Sequence, residues 1–141
     1  MKARRKKRPV VTLPVELIWG AEFSPGAVAA ISRHAIEAFK SHSRVILAVG
    51  LPMVRNAPVA RRLFRNVVQV ARIVMDEVPI DRVYAEGGAT ASELVRCMNW
   101  SRLIVESEPA PGAATLSVGN SRGTLLTIKP GTYAWPEAWT E

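Results

Sequence analysis

The sequence predicts an α/β fold: a mainly parallel sheet with flanking helices in a Rossmann-like three-layer arrangement, closed by a C-terminal β-hairpin. Three observations predict it. Between residues 44 and 106, short apolar runs alternate with amphipathic helical patterns, the order of βαβ crossovers. The run "RVILAV", residues 44–49, is apolar without alternation, as in a strand buried on both faces of a parallel sheet. Near the C-terminus, two short strand-like runs flank the turn "GNSRG", which suits a hairpin.

Each element has its own signal. Residues 10–19, "VVTLPVELIW", are apolar and β-branched, but Pro14 restricts them to an edge strand or an extended lead-in. A helix follows, with Ser24 as N-cap and Pro25 at its first position. Val28, Ile31, Ala35, Ala38 and Phe39 form its apolar face, and His34 borders that face as a partly buried structural histidine. After "RVILAV", residues 50–58 read as a loop. A second helix starts at Val59, with Val59, Leu63, Val67, Val70 and Val74 inward. Arg61, Arg62, Arg65 and Arg72 lie outside, as a solvated face or a phosphate-binding stripe. "DRVYAE", residues 81–86, is the next strand. A helix from about Thr90 to Met98 turns Ala91, Leu94, Val95 and Met98 inward. "RLIVE", residues 102–106, is a further strand, and the hairpin strands lie near Thr115–Val118 and Thr124–Lys129.

The totals narrow the function. A chain of 141 residues with 48% hydrophobic content suits one globular domain. No apolar run approaches the ~18 residues of a membrane helix, so no membrane role is expected. The basic start runs into Pro9, Pro14 and Glu16, which is not a secretory signal. A single cysteine, Cys97, allows no internal disulfide and is compatible with a reducing, cytoplasmic setting. His34 and His42 have no ligand partner at metal-binding spacing, so no protein-held metal is expected.

The net charge of +7 is a property of one end. Lys2, Arg4, Arg5, Lys6, Lys7 and Arg8 supply six of nineteen basic residues, leaving thirteen against twelve acidic ones. Residues 1–9 therefore read as a disordered basic tail, and residues 10–141 as the folded domain. Such a tail can bind nucleic acid, but no aromatic residue is interleaved for base stacking. Nucleic acid is not the expected partner.

Candidate chemistry lies in three glycine-bearing stretches. In "YAEGGATASELV", Gly87, Gly88, Ala89 and Thr90 connect a strand to a helix. Ligands of open α/β sheets bind beyond the strands' carboxyl ends, and helix N-termini attract phosphate. Glycines let a backbone approach an anion. Equally, Thr90-Ala91-Ser92-Glu93 fits a capping box, with Thr90 as N-cap and Glu93 reaching back. No Gly-Lys-Ser/Thr follows, so the turn is not a Walker A loop. The second stretch is "SEPAPG", with Glu108, Pro111 and Gly112. The third is "IKPGTYAWP", where Lys129 could place a charge on phosphate and Gly131 could admit a ligand, or where the chain simply leaves a hairpin with an exposed lysine. Tyr133, Trp135 and Trp139 could stack on a base or close the core. No nucleophile triad or paired-aspartate motif is visible, and the general base is unassigned.

In this order, "EGGATASELVRCMNWSRLIVESEPAPG" and "LLTIKPGTYAWPE" resemble the C-terminal, nucleotide-binding domain of the four-carbon acid sugar kinases, similar to bacterial threonate and erythronate kinases. The resemblance is best over residues 44–137. It implies ATP or ADP bound by Gly87, Gly88, Ala89 and Thr90 and by Lys129 and Gly131, with Glu108, Pro111 and Gly112 shaping the pocket. Mg²⁺ would accompany the nucleotide. Three departures stand out. Ala134 follows Tyr133 where the family continues with glycine, and Pro109 follows Glu108 where leucine is common. Family members are also much longer, and their N-terminal sugar-acid-binding domain carries Asp-Asp-x-Thr-Gly. No Asp-Asp pair occurs here.

The resemblance thus implies part of a sugar acid kinase, completed by a separate substrate-binding domain or chain, with a homo-oligomer as a further option. Two rivals stay open. One is a truncated or split, non-catalytic nucleotide-binding module. The other is a nucleic-acid-binding protein using the basic tail, for which binding would depend on salt and vanish with residues 1–8.

Overall fold

The computed structural model describes residues 8–13, 25–49 and 56–136. They fall into two compact units, Met1–Val78 and Pro79–Glu141. Most of the basic tail, Pro14, Ser24 and Trp139 lie outside the described residues. Pro9 is held at the end of a strand, where its carbonyl accepts from the Ile46 N–H at 3.0 Å.

The first unit is a βαβ crossover followed by a long helix. Strand β1 (Val10–Thr12) and strand β2 (Ile46–Ala48) pair in parallel, with Val10 opposite Ile46. Helix α1 (Pro25–Phe39) connects them, and helix α2 (Ala57–Glu77) packs on α1 and β2. Val11, Leu13, Val28, Ala35, Leu63, Val70 and Val74 form the buried cluster. Each large aliphatic side chain so buried contributes roughly 1.5–3 kcal/mol.

Two expectations change here. Strand β2 is parallel, but it is not buried on both faces, because Ile46 is 42% exposed. His34 is exposed on α1, and Ser32 takes the inward position instead. The Ser32 hydroxyl satisfies itself by donating to the Val28 carbonyl at 2.7 Å. Helix α2 starts two residues before Val59. Asn56 is its N-cap and accepts from the Val59 N–H at 3.2 Å, with Pro58 in the first turn where no N–H is needed.

The second unit holds strand β3 (Arg82–Glu86), helix α3 (Gly88–Cys97) and strands β4 (Leu103–Ala110), β5 (Ala113–Val118) and β6 (Leu125–Lys129). Its four-stranded sheet has the order β3-β6-β5-β4. Strands β3 and β6 are parallel, whereas β5 is antiparallel to both β6 and β4. The expected mainly parallel sheet is therefore mixed. The β5–β6 hairpin is as predicted. The strand at 102–106 is longer than predicted and runs as the first arm of a second hairpin. Its cause is local: only Pro111 and Gly112 separate β4 from β5, and a two-residue link permits only antiparallel pairing. Gly112 has φ 76°, which glycine adopts at least cost.

The unit's one described helix packs on β3 and β6, so a three-layer arrangement is not present within it. Leu126 and Ala85 are buried, and so are Ala91 and Leu94 of α3. The alternating residue Tyr84 is exposed. Among the described residues, no helix is long and apolar enough to cross a membrane.

Candidate functional site

The sheet register gathers the three glycine-bearing stretches at one end of the second unit. Glu86 is opposite Lys129 at the carboxyl ends of the parallel pair β3 and β6. Ala114 of β5 is opposite Ile128, and Ala110 of β4 is opposite Ala113. The turns at Gly87, at Pro111-Gly112 and at Pro130-Gly131 therefore project from the same edge of the layer. In parallel α/β pairs, that end is where ligands bind.

The first turn differs in detail from its sequence reading. Gly87, not Thr90, is the N-cap of α3, and no side chain caps this end. Thr90 lies inside the first helical turn. Glu93 does not reach back, because Arg96 takes both of its oxygens, with Arg96 Nε donating to Oε2 at 3.1 Å. That hydrogen bond, with the Glu93 charge, raises the Arg96 pKa above its ordinary value.

The two glycines serve different ends. Gly87 has φ 88° and donates its N–H to the Lys129 carbonyl at 2.8 Å. Its own carbonyl accepts from Ala91 at 3.1 Å, closing the first turn of the helix. Gly88 needs no unusual backbone angle, and a Cβ placed on it would meet nothing within 4 Å. The N–H groups of Gly88, Ala89 and Thr90 have no carbonyl in a preceding helical turn to bond, as at any helix start. The helix dipole adds partial positive charge there, and no acidic residue occupies the first turn.

Lys129 is not the exposed hairpin-exit lysine. It is 1% exposed. Its ammonium donates to Glu86 Oε1 at 3.3 Å, to the Pro130 carbonyl at 2.7 Å and to the Tyr133 carbonyl. It also lies 4.9 Å from the centre of the Trp135 ring. Three protons meet three acceptors, so a buried charge that would otherwise be costly is compensated. In this arrangement the ammonium has no proton left for a phosphate.

The same bonds fold residues 130–136 back over the sheet. Trp135 donates its ring N–H to Glu86 Oε2 at 3.1 Å and stands edge-on to Tyr84, with ring centres 6.0 Å apart. The Tyr133 ring lies against Gly112, where a Cβ would come 3.4 Å from it. The Gly112 N–H in turn donates to Glu108 Oε1 at 3.1 Å. Gly131 has open space around it. A chain of contacts thus runs from Gly87 through Lys129 and Tyr133 to Gly112 and Glu108. All three sequence-predicted stretches are brought together, with Lys129 as fastener.

Sequence reasoning missed Glu86, which holds both Lys129 and Trp135. Its signal was its place as the last residue of β3, directly before the glycine pair. A hollow of about 320 Å³ on the sheet face, lined by Arg82, Tyr84, Glu106, Ser107, Thr115 and Thr127 among others, contains none of the predicted residues. No group of three His, Cys, Asp or Glu residues that could hold a metal occurs among the described residues.

No family model matches the sequence, and no curated protein matches it. Solved structures do match. The chain is similar to Haemophilus influenzae protein HI1011, of the family DUF1537, with TM-score 0.75 and 16% identity, over 92% of this chain and 32% of that one. It is similar to a DUF1537 protein from Bordetella bronchiseptica, a domain-swapped dimer with bound citrate, with TM-score 0.61 and 19% identity, over 90% of this chain and 32% of that one. A Salmonella typhimurium LT2 protein with the provisional name tRNA synthase gives TM-score 0.63 and 14% identity over 90% of this chain and 32% of that one. At these identities the likeness is one of fold. The chain spans 32% of the length of each of these three proteins.

Proposed function

We propose that this chain is the ATP/ADP-binding region of a four-carbon acid sugar kinase, active in phosphoryl transfer when joined by a substrate-binding domain. One observation carries the reading. The uncapped N-terminus of α3, with open space at Gly88, sits at the carboxyl end of a parallel strand pair, beside the open turn at Gly131. Such an arrangement suits a phosphate group: three convergent N–H donors, a favourable dipole and no side chain in the way. The resemblance in "EGGAT", "EPAPG" and "KPGTY" and the fold shared with much longer DUF1537 proteins support it.

In this reading Gly88, Ala89 and Thr90 bind phosphate through backbone N–H groups. Gly87 makes the turn, and Gly131 gives clearance. Glu108, Pro111 and Gly112 shape the wall against Tyr133. Lys129 acts by position: its carbonyl orients Gly87, and its ammonium anchors residues 130–136. ATP would supply the transferable phosphoryl group. The described residues offer no set of metal ligands, so Mg²⁺ would arrive on the nucleotide's own phosphates. The acceptor site and the general base would come from the companion domain, since no Asp-Asp-x-Thr-Gly segment exists in this chain. Alone, the chain would bind nucleotide without turning it over.

Calorimetric titration with ADP and ATP, with and without Mg²⁺, tests this. Saturable binding of either nucleotide supports the proposal. A folded chain that binds neither, even with the companion domain added, refutes it.

A further inference from the structure

The edge strand β4 leaves an apolar surface that no described residue of the second unit covers. Among the described strands, β4 pairs with β5 alone. Leu103, Ile104 and Val105 are 37%, 51% and 70% exposed, three consecutive large apolar residues. Consecutive residues point to opposite faces of a strand, so both faces and the hydrogen-bonding edge are open here.

The backbone is also poised to pair. The Arg102 carbonyl accepts from the Gly119 N–H at 2.7 Å, so Arg102 directs that group toward β5. By alternation Ile104 does the same, and Leu103 and Val105 turn their N–H and C=O groups outward. A further strand could bond at Leu103 and Val105. The register with β5 shifts between Val105 and Ser107, so the regular stretch ends at Val105, and the segment open to a partner is the five residues 102–106 with Glu106 at its irregular end.

Those five residues read "RLIVE", and the segment is self-complementary about Ile104. Laid antiparallel against itself on a two-fold axis, Leu103 of one copy faces Val105 of the other, the two outward-bonding positions. Ile104 meets Ile104 at the axis, where side chains approach closest. Arg102 of one copy faces Glu106 of the other. The side chains agree with this. Arg102 packs its stem where a Cβ on Gly119 would be, and Glu106 accepts from the Ser117 hydroxyl at 2.6 Å. Gly119, just past β5, continues the face of Ser117, which matches that of Arg102 and Ile104, and the Glu106 side chain reaches the same face through its bond with Ser117.

We infer that β4 is a homodimer interface: two copies pair their β4 strands antiparallel about Ile104, joining two four-stranded sheets into one of eight. The contact is isologous, as a two-fold requires. Leu103 and Val105 of both copies form an apolar cluster on one face, and two Arg102–Glu106 pairs flank Ile104 on the other. A companion domain would need no pattern that complements itself in reverse, and this favours a second copy as the occupant.

Sedimentation of the 141-residue chain across a wide concentration range tests this, with three variants. Val105→Pro removes an outward N–H that β5 does not use, so the fold is retained while the interstrand bond is lost. Arg102→Glu places like charges opposite one another. Arg102→Glu with Glu106→Arg restores the pairing with reversed polarity. The expected result is a wild-type dimer whose dissociation constant rises at least ~10-fold in the first two variants and recovers in the double variant. Far-ultraviolet circular dichroism checks that each variant is folded. A monomer at every concentration, an assembly larger than a dimer, a dimer indifferent to Val105→Pro, or failure of the double variant to recover would overturn the inference.

Discussion

The Gly87 N–H donates to the Lys129 carbonyl at 2.8 Å, across 42 residues of sequence. This bond ties the start of α3 to the end of β6 and leaves the next three N–H groups free to face a ligand. It also fixes Gly87 at φ 88°, in the left-handed region. With ψ 136° this is a backbone region that only glycine adopts readily, so Gly87→Ala should cost about 1–3 kcal/mol from backbone strain alone, since a Cβ there would meet only Thr90 Oγ1 at 3.9 Å. Thermal unfolding should show a Tm lowered by several degrees. An unchanged Tm would mean that the turn relaxes without strain.

The buried ammonium of Lys129 is the fastener of residues 130–136. Lys129→Met keeps the bulk but deprives the Pro130 and Tyr133 carbonyls of their donor. The expected loss is about 1–3 kcal/mol in denaturant unfolding, with a reduced near-ultraviolet signal from Trp135. Wild-type stability in this variant would show that the segment is held by Trp135 packing and not by the ammonium.

Thr115 and Thr127 face each other across β5 and β6, with their hydroxyls 2.9 Å apart and both residues buried. Thr115→Val leaves the Thr127 hydroxyl without this partner and should cost about 1–3 kcal/mol, as should Thr127→Val. The double variant should recover most of that loss, because two apolar groups of the same shape replace the pair. Additive losses in the double-mutant cycle would rule out coupling between the hydroxyls.

Much of the fold was legible in the sequence. The helical faces of α1 and α2 follow a 3.6-residue period, and the β5–β6 turn carries strong turn residues. What failed was direction and depth. "RLIVE" reads as a strand, but its neighbour in the sheet is set by the Pro111-Gly112 link, a turn signal that sits inside a stretch also legible as a pocket motif. "RVILAV" reads as doubly buried, yet Ile46 is open in its own unit. Thr90 and Glu93 satisfy a capping-box pattern, but Arg96 claims Glu93 and the helix begins at Gly88. The meeting of the three candidate stretches was readable only in their order. The burial of Lys129 was not readable at all, because Glu86, Tyr133 and Trp135 converge on it through tertiary contacts.

The central claim, that the α3 N-terminus is a phosphate site, is tested most directly by Gly88→Ala. A methyl group at this position meets no protein atom within 4 Å and needs no unusual backbone angle. Stability should hold or rise by up to ~1 kcal/mol, the gain of alanine over glycine in a helix. The methyl group would, however, stand where phosphate must approach. ADP titrated calorimetrically into both proteins should bind the wild type with a dissociation constant below ~1 mM and the variant at least ~10-fold more weakly. Equal affinity in two equally stable proteins would contradict the account.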